Sequence, residues 1–303
     1  IAPNAIDGDW TTFGKRTPGN AYGNKMVNFN GGANGNTQIP VMYVLGDNAQ
    51  AFAVVFDNVY RQDWTITARG GEVRMDGTEP LRFYLLAADS LPQLRRDFMQ
   101  LVGKPPVPPR KMFGLWLSEY GYDNWQEIDT ILNGMRREGF PLDGFVLDLQ
   151  WFGGIGHEFS TSQMGHLDWD ENNFPNAKTK IDTYRKNNIG LMLIEESYIH
   201  NELQEHKLLA EQGYLVKSAA DLPIDLGTGT WWGRGGMLDW TNSSAANYWH
   251  DLKRKPLVDA GIMGHWTDLG EPETFDAEHS VYPSFSGPSK THADIHNLYN
   301  FFW

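Results

Sequence analysis

Apolar and polar positions fall into two patterns along this chain, and they meet at a run of prolines. Before it, short and partly β-branched apolar runs at 41–45, 52–57 and 81–86 are separated by turns such as Gly70-Gly71 and Asp76-Gly77. That pattern predicts strands of a mostly β region. Leu91, Leu94, Phe98 and Leu101 then recur at helical spacing behind Ser90, a good N-cap, which predicts a helix over 90–102. Lys104-Pro105-Pro106-Val107-Pro108-Pro109 sustains neither a helix nor a central strand and reads as a linker. The expected domains are therefore a β-sandwich-like part over 1–103, itself incomplete, and a second domain over 104–303.

Beyond the prolines, strand and helix patterns alternate. Strands are predicted at 113–117, 145–149 and 189–194, with a fourth delivering Asp268. Between and after them lie helices: one presenting Trp125, Ile128, Leu132 and Met135, others over 178–186, 203–211 and 245–258, and one at 293–301. Such alternation implies parallel βα units, in a barrel or a doubly wound sheet. No Gly-rich phosphate loop follows the first strand, which disfavours a dinucleotide-binding sheet. About four βα units are present, half of a closed eightfold barrel, so the chain is expected to lack the C-terminal half of that barrel.

The candidate chemistry sits where these strands end. Asp148 closes Gly144-Phe145-Val146-Leu147-Asp148, Glu195-Glu196 follows Leu193-Ile194, and Asp268 lies in Gly264-His265-Trp266-Thr267-Asp268-Leu269-Gly270-Glu271-Pro272. In a barrel these ends share one mouth, where carboxylates do chemistry. A single acid after a strand is also an ordinary helix cap, so three in consecutive units carry more weight than any one. Trp266 lies two residues before Asp268 and shares its side of the strand, so an aromatic face stands beside a carboxylate, as needed to hold a sugar ring and attack its anomeric carbon. Further aromatics fall in loops. Trp169 and Trp231 are expected to touch a ligand, whereas Trp151 and Trp232 fit packing equally well.

Composition narrows the class. With 12 Trp, 12 Tyr and 16 Phe in 303 residues, the aromatic load suits carbohydrate binding, although large cores also use it. A net charge of -13 argues against nucleic acid and anionic membrane surfaces as partners. The absence of Cys excludes disulfides and thiolate metal sites. His157, His166 and His200 lack the i, i+4 spacing of a helical zinc site, so no metal is expected. The acids of Asp168-Trp169-Asp170-Glu171 are not spaced as calcium-loop ligands. No Gly-x-Ser-x-Gly elbow is present, which removes the simplest esterase reading.

Taken in order, these residues resemble glycoside hydrolase family 31, the α-glucosidase-like enzymes. The resemblance runs from Pro108-Pro109 and Phe113-Gly114-Leu115-Trp116 through Pro141-Leu142-Asp143-Gly144-Phe145-Val146-Leu147-Asp148. It continues with Leu167-Asp168-Trp169-Asp170, Phe174-Pro175-Asn176, Trp231-Trp232-Gly233 ahead of Asp239, the Asp268 segment, and His296-Asn297-Leu298-Tyr299. It implies a (β/α)8 TIM barrel, no cofactor, and a retaining α-glycoside hydrolase acting on α-linked gluco-oligosaccharides. By resemblance Asp268 is the nucleophile, and Asp148 binds hydroxyls of the sugar in the −1 subsite. Leu149, Ile194, Trp231, Trp266 and Leu269 wall that pocket, and Glu196 stands at the place of a family acid on the third strand.

The family's acid/base Asp follows the His-Asn-x-Tyr helix and is expected beyond Trp303. Glu271 and Glu273 match no acid/base motif. Three departures stand out: Asp-Leu-Gly-Glu replaces Asp-Met-Asn-Glu, Gln150 replaces a frequent Asp, and Trp232 replaces a frequent Pro. The Asp-Leu-Gly-Glu-Pro-Glu run is similar to that of bacterial oligosaccharide 4-α-glucosyltransferases, which makes transfer the alternative to hydrolysis. A reading from another class is a non-catalytic carbohydrate-binding fragment, but such a module has no need of an acid at position 268.

Overall fold

Gly144 and Gly190 explain how the central sheet is packed. In the computed structural model, a Cβ on Gly144 would lie 2.4 Å from the Trp116 ring and 2.6 Å from the Gly190 carbonyl, and one on Gly190 would lie 2.7 Å from the same ring. Two bare backbones on neighbouring strands thus make room for one indole. The structure describes residues 8–11, 14–15, 40–46, 50–58, 62–67, 70–75, 80–156, 161–227, 230–270, 272, 276, 279–287 and 290–303. Asp76, Gly77, His157, Glu271 and Glu273 lie outside them.

The chain divides into two compact units: one of Ile1–Val107, Glu271–Glu278 and Thr291–Phe301, the other of Pro108–Gly270, His279–Lys290 and Phe302–Trp303. The first unit has strands β1 (Gly8–Thr11), β2 (Gly14–Lys15), β3 (Val41–Leu45), β4 (Ala51–Phe56), β5 (Gln62–Thr67), β6 (Gly70–Met75) and β7 (Phe83–Ala88), then helix α1 (Leu91–Val102). They form two antiparallel sheets, ordered β2-β1-β5-β6 and β3-β4-β7. Ser90 caps α1 by accepting from the Gln93 N–H, and Leu94 packs on Ala51 and Ala53 of β4. Gly70 and Gly71, expected as a turn, instead begin β6, where they pair with Thr67 and Ile66 through backbone groups that need no side chain.

The second unit opens with a single-turn 3-10 helix, Arg110–Phe113, that the sequence pattern assigned in part to a strand. Pro109 presets the chain for that turn and Phe113 is left exposed, so the strand begins two residues later. The elements are β8 (Leu115–Glu119), α2 (Trp125–Arg137), β9 (Leu142–Leu147), α3 (Ala177–Lys186), β10 (Gly190–Glu195), β11 (Tyr198–His200), α4 (Gln204–Glu211), β12 (Gly235–Met237), α5 (Ser243–Trp249), α6 (Lys255–Ala260) and β13 (Gly264–Thr267). The last helix in the chain, α7 (His292–Phe302), belongs to the first unit up to Phe301. Four strands form one parallel sheet, in the order β8-β9-β10-β13.

Alternation along those strands sorts the side chains between two faces. Phe145, Leu147, Leu191 and Leu193 point one way and are buried; Trp116, Val146, Met192 and Trp266 point the other way and are half-buried. The helix expected over 245–258 is interrupted. Residues His250–Arg254 form a π-helical stretch between α5 and α6, and π-turns concentrate at functional sites.

Candidate active site

The register of the sheet brings three of the expected site residues to one face. Leu147 pairs with Leu193 and Ile194 with Trp266, so Asp148, Ile194 and Trp266 share the half-buried side. The strand β9 ends at Leu147, two residues earlier than expected, because the Asp148 carboxylate turns the chain: its Oδ1 accepts the Leu149 N–H at 2.7 Å and caps a 3-10 turn over Leu149–Phe152. Leu149 therefore lies on that turn rather than in the strand, and it is buried. Beyond β13, the Asp268 N–H continues the parallel ladder by donating to the Glu195 carbonyl at 3.0 Å. Leu269 follows with φ of 51°, a left-handed conformation that costs a non-glycine residue energy and that clusters at working sites.

The two aspartates sense each other. Burial raises the Asp148 pKa, the Leu149 N–H partly offsets this, and the charge of Asp268 raises it further. Asp148 is 8 % exposed, and a carboxylate buried near a second one is an arrangement that concentrates at functional sites.

The tryptophans separate by environment. Trp232 is fully buried, stacks on Tyr198 at 4.8 Å, and its carbonyl accepts the Ser162 hydroxyl. Trp231, its neighbour, is only half-buried. Trp151 is fully buried and donates through Nε1 to the Ile194 carbonyl at 3.2 Å, tying the loop to the β10 end. Trp169 is half-buried against Trp125, Trp151 and Phe174, with ring centroids 5.0–6.1 Å apart across this cluster.

At the end of β10 the two acids diverge. Glu195 is fully buried and held by Arg254 in a two-pronged pair, Nε to Oε2 at 2.9 Å and Nη2 to Oε1 at 2.9 Å. Trp249 Nε1 adds a third bond to Oε1 at 2.9 Å. Glu196 is 3 % exposed and lies just beyond the strand. A second charge cluster stands around the buried Lys253 and Glu205: Lys253 Nζ lies 2.7 Å from Oδ2 of the exposed Asp168 and 2.6 Å from Glu205 Oε1, while His166 Nδ1 lies 3.0 Å from Glu205 Oε1. Burial alone would raise Glu205, but the bonds from His166 and Lys253 and the lysine charge hold it at about 2. His166, Asp168 and Glu205 could converge on a metal ion, yet the Lys253 ammonium already bridges the two carboxylates. Neither Lys253 nor Arg254 was marked out by the sequence pattern; the only trace is a Lys253-Arg254-Lys255 run inside a predicted helix. A cleft of about 570 Å³ lined by Arg110, Lys111, Phe113, Gly114, Asp143 and Asn188 opens at the other end of these strands, and no strand-end acid lines it.

Strand-end carboxylates beside an aromatic, on a parallel α/β sheet, are the arrangement that barrel enzymes use on sugar rings. Residues 105–303 match the family model for the "Glycosyl hydrolases family 31 TIM-barrel domain", and the chain belongs to that family. It is 26% identical over 270 residues to alpha-glucosidase 2 of Bacillus thermoamyloliquefaciens, covering 84% of this chain and 32% of that protein. It is 27% identical over 252 residues to alpha-xylosidase XylQ of Lactiplantibacillus pentosus, covering 81% and 31%. Among solved structures, a family 31 alpha-xylosidase from a soil metagenome, complexed with xylose, superposes with a TM-score of 0.73 at 22% identity over 89% of this chain and 37% of that one. The chain thus spans about a third of the length of the curated relatives it matches.

Proposed function

We propose that the protein to which this chain belongs is a retaining α-glycosidase for α-linked gluco-oligosaccharides, with Asp268 as nucleophile. The observation that carries this reading is the Asp148–Asp268 pair beside Trp266 at the ends of parallel strands. In the first step an Asp268 oxygen bonds to C1 as the glycosidic C1–O bond breaks, and a second carboxylic acid protonates the departing oxygen. In the second, the same group takes a proton from the acceptor, whose oxygen displaces Asp268 and restores the α configuration. No metal or cofactor is needed for either step.

Asp148 holds sugar hydroxyls, and Leu149, Ile194, Glu196, Trp231, Trp266 and Leu269 shape the −1 pocket. Trp169 contributes the part of its ring left exposed. Residues 104–303, with their four parallel strands, form the first half of an eight-stranded barrel, and 1–103 belongs to a β-sandwich-like domain. The parallel order β8-β9-β10-β13 supports the first part, and the two antiparallel sheets of the first unit support the second.

The Asp-Leu-Gly-Glu-Pro-Glu run favours a second reading, transfer to a sugar rather than to water. Incubating the full-length protein with maltotriose separates the outcomes. Hydrolysis with retention gives glucose and maltose, the fresh reducing end appearing first as the α-anomer in proton NMR. Oligomers longer than the substrate identify a transferase, and binding without turnover identifies a carbohydrate-binding protein and overturns the proposal.

A further inference from the structure

We infer that the Arg254–Glu195 pair, fastened by Trp249, is the device that positions Asp268 for attack; the inference rests on the function proposed above. Glu195 is the last residue of β10, and its carbonyl accepts the backbone N–H of Asp268 at 3.0 Å. Its carboxylate is fully buried on the opposite face from Asp148, Ile194 and Trp266, and it is gripped there by three donors from two residues. The grip fixes the strand end, and the strand end fixes the backbone from which Asp268 projects.

Other features make this more than a stabilising ion pair. Arg254 closes the π-helical stretch, and that stretch turns two consecutive residues inward: Lys253, 5% exposed, to Asp168 and Glu205, and Arg254, 17% exposed, to Glu195. A regular helix turns about 100° per residue, so neighbours seldom reach separate buried partners. The guanidinium is itself held from the far side, 4.7 Å over the Trp240 ring. His265, three residues before Asp268, brings its Nδ1 to 3.6 Å from Glu195 Oε2, so the same carboxylate is flanked by the strand that carries the nucleophile. A displacement of the nucleophile by about 1 Å can cost about 100-fold in rate without weakening binding.

The test uses the full-length protein and two variants that leave the buried charges balanced. Arg254→Lys keeps the cation but not the two-pronged fork, and Trp249→Phe removes a single bond to Glu195. Labelling by 5-fluoro-α-glucosyl fluoride gives a binding constant and a rate constant for covalent capture separately. The inference expects capture to slow by about 10-fold or more in Arg254→Lys and by about 3-fold in Trp249→Phe, with binding changed less than 3-fold and the folded fraction retained. Capture at the parental rate in the folded variants overturns it, as does a loss that tracks the unfolded fraction, or failure of both variants to fold. The parent protein is the control for the underlying reading: if Asp268 is not labelled there, it is the assignment of the nucleophile that fails.

Discussion

Asp148 and Asp268 sit at the ends of two parallel strands separated by a third, and the charge of Asp268 raises the pKa of Asp148. The order β9-β10-β13 puts Glu195 between them in the sheet, yet its side chain points to the other face, so the central strand keeps its carboxylate out of their way. The two aspartates face one side of the sheet, and the Glu195–Arg254 ion pair occupies the other.

An acid whose folded pKa is raised is less favourable ionised in the folded than in the unfolded state, and that penalty is fully present above the folded pKa. Asp148→Asn removes the charge while its amide oxygen still accepts the Leu149 N–H. The variant is expected to melt at or above the parental temperature at neutral pH. Its kcat/KM falls by about 2–4 kcal/mol in transition-state free energy through lost charge-assisted bonds to sugar hydroxyls. Calorimetry together with steady-state kinetics checks both halves; a variant that is less stable and fully active would make Asp148 structural.

Glu205 behaves in the opposite sense. Its folded pKa of about 2 lies below the ordinary value of 4.5, so the stabilisation it brings is complete above 4.5 and is lost as pH falls toward 2. Acid unfolding of the parent should be steep across that window, and Glu205→Gln should be both less stable at neutral pH and less steep in acid. Equal slopes for the two proteins would show that the Lys253 cluster does not hold the fold in acid.

Gly144→Ala is expected to destabilise the protein by about 1–3 kcal/mol, since the new methyl group meets a backbone carbonyl as well as the Trp116 ring. Adding Trp116→Leu should recover part of that loss by removing one of the two clashes. Chemical denaturation of the single and double variants measures the coupling.

Much of this arrangement is legible along the chain. Apolar runs ending in Asp148, Glu195 and Asp268 mark parallel strands, and the spacing of Trp266 and Asp268 places them on one side. The boundaries drift where side chains act on the backbone: Asp148 ends its strand by capping the next turn, and Pro109 delays the first strand past Phe113. The sequence leaves Trp232 open between packing and ligand contact, and only the turn decides that it is buried beside a half-buried Trp231. The clamp on Glu195 escapes detection altogether, for it depends on a π-turn that hydrophobic periodicity does not encode.

The central claim is that Asp268 attacks the anomeric carbon, and covalent trapping tests it most directly. The full-length protein is treated with 5-fluoro-α-glucosyl fluoride, digested, and its peptides sequenced by mass spectrometry. The account predicts a single fluoroglucosyl ester on Asp268, absent after Asp268→Asn. An ester on any other residue, Asp148 included, would contradict it.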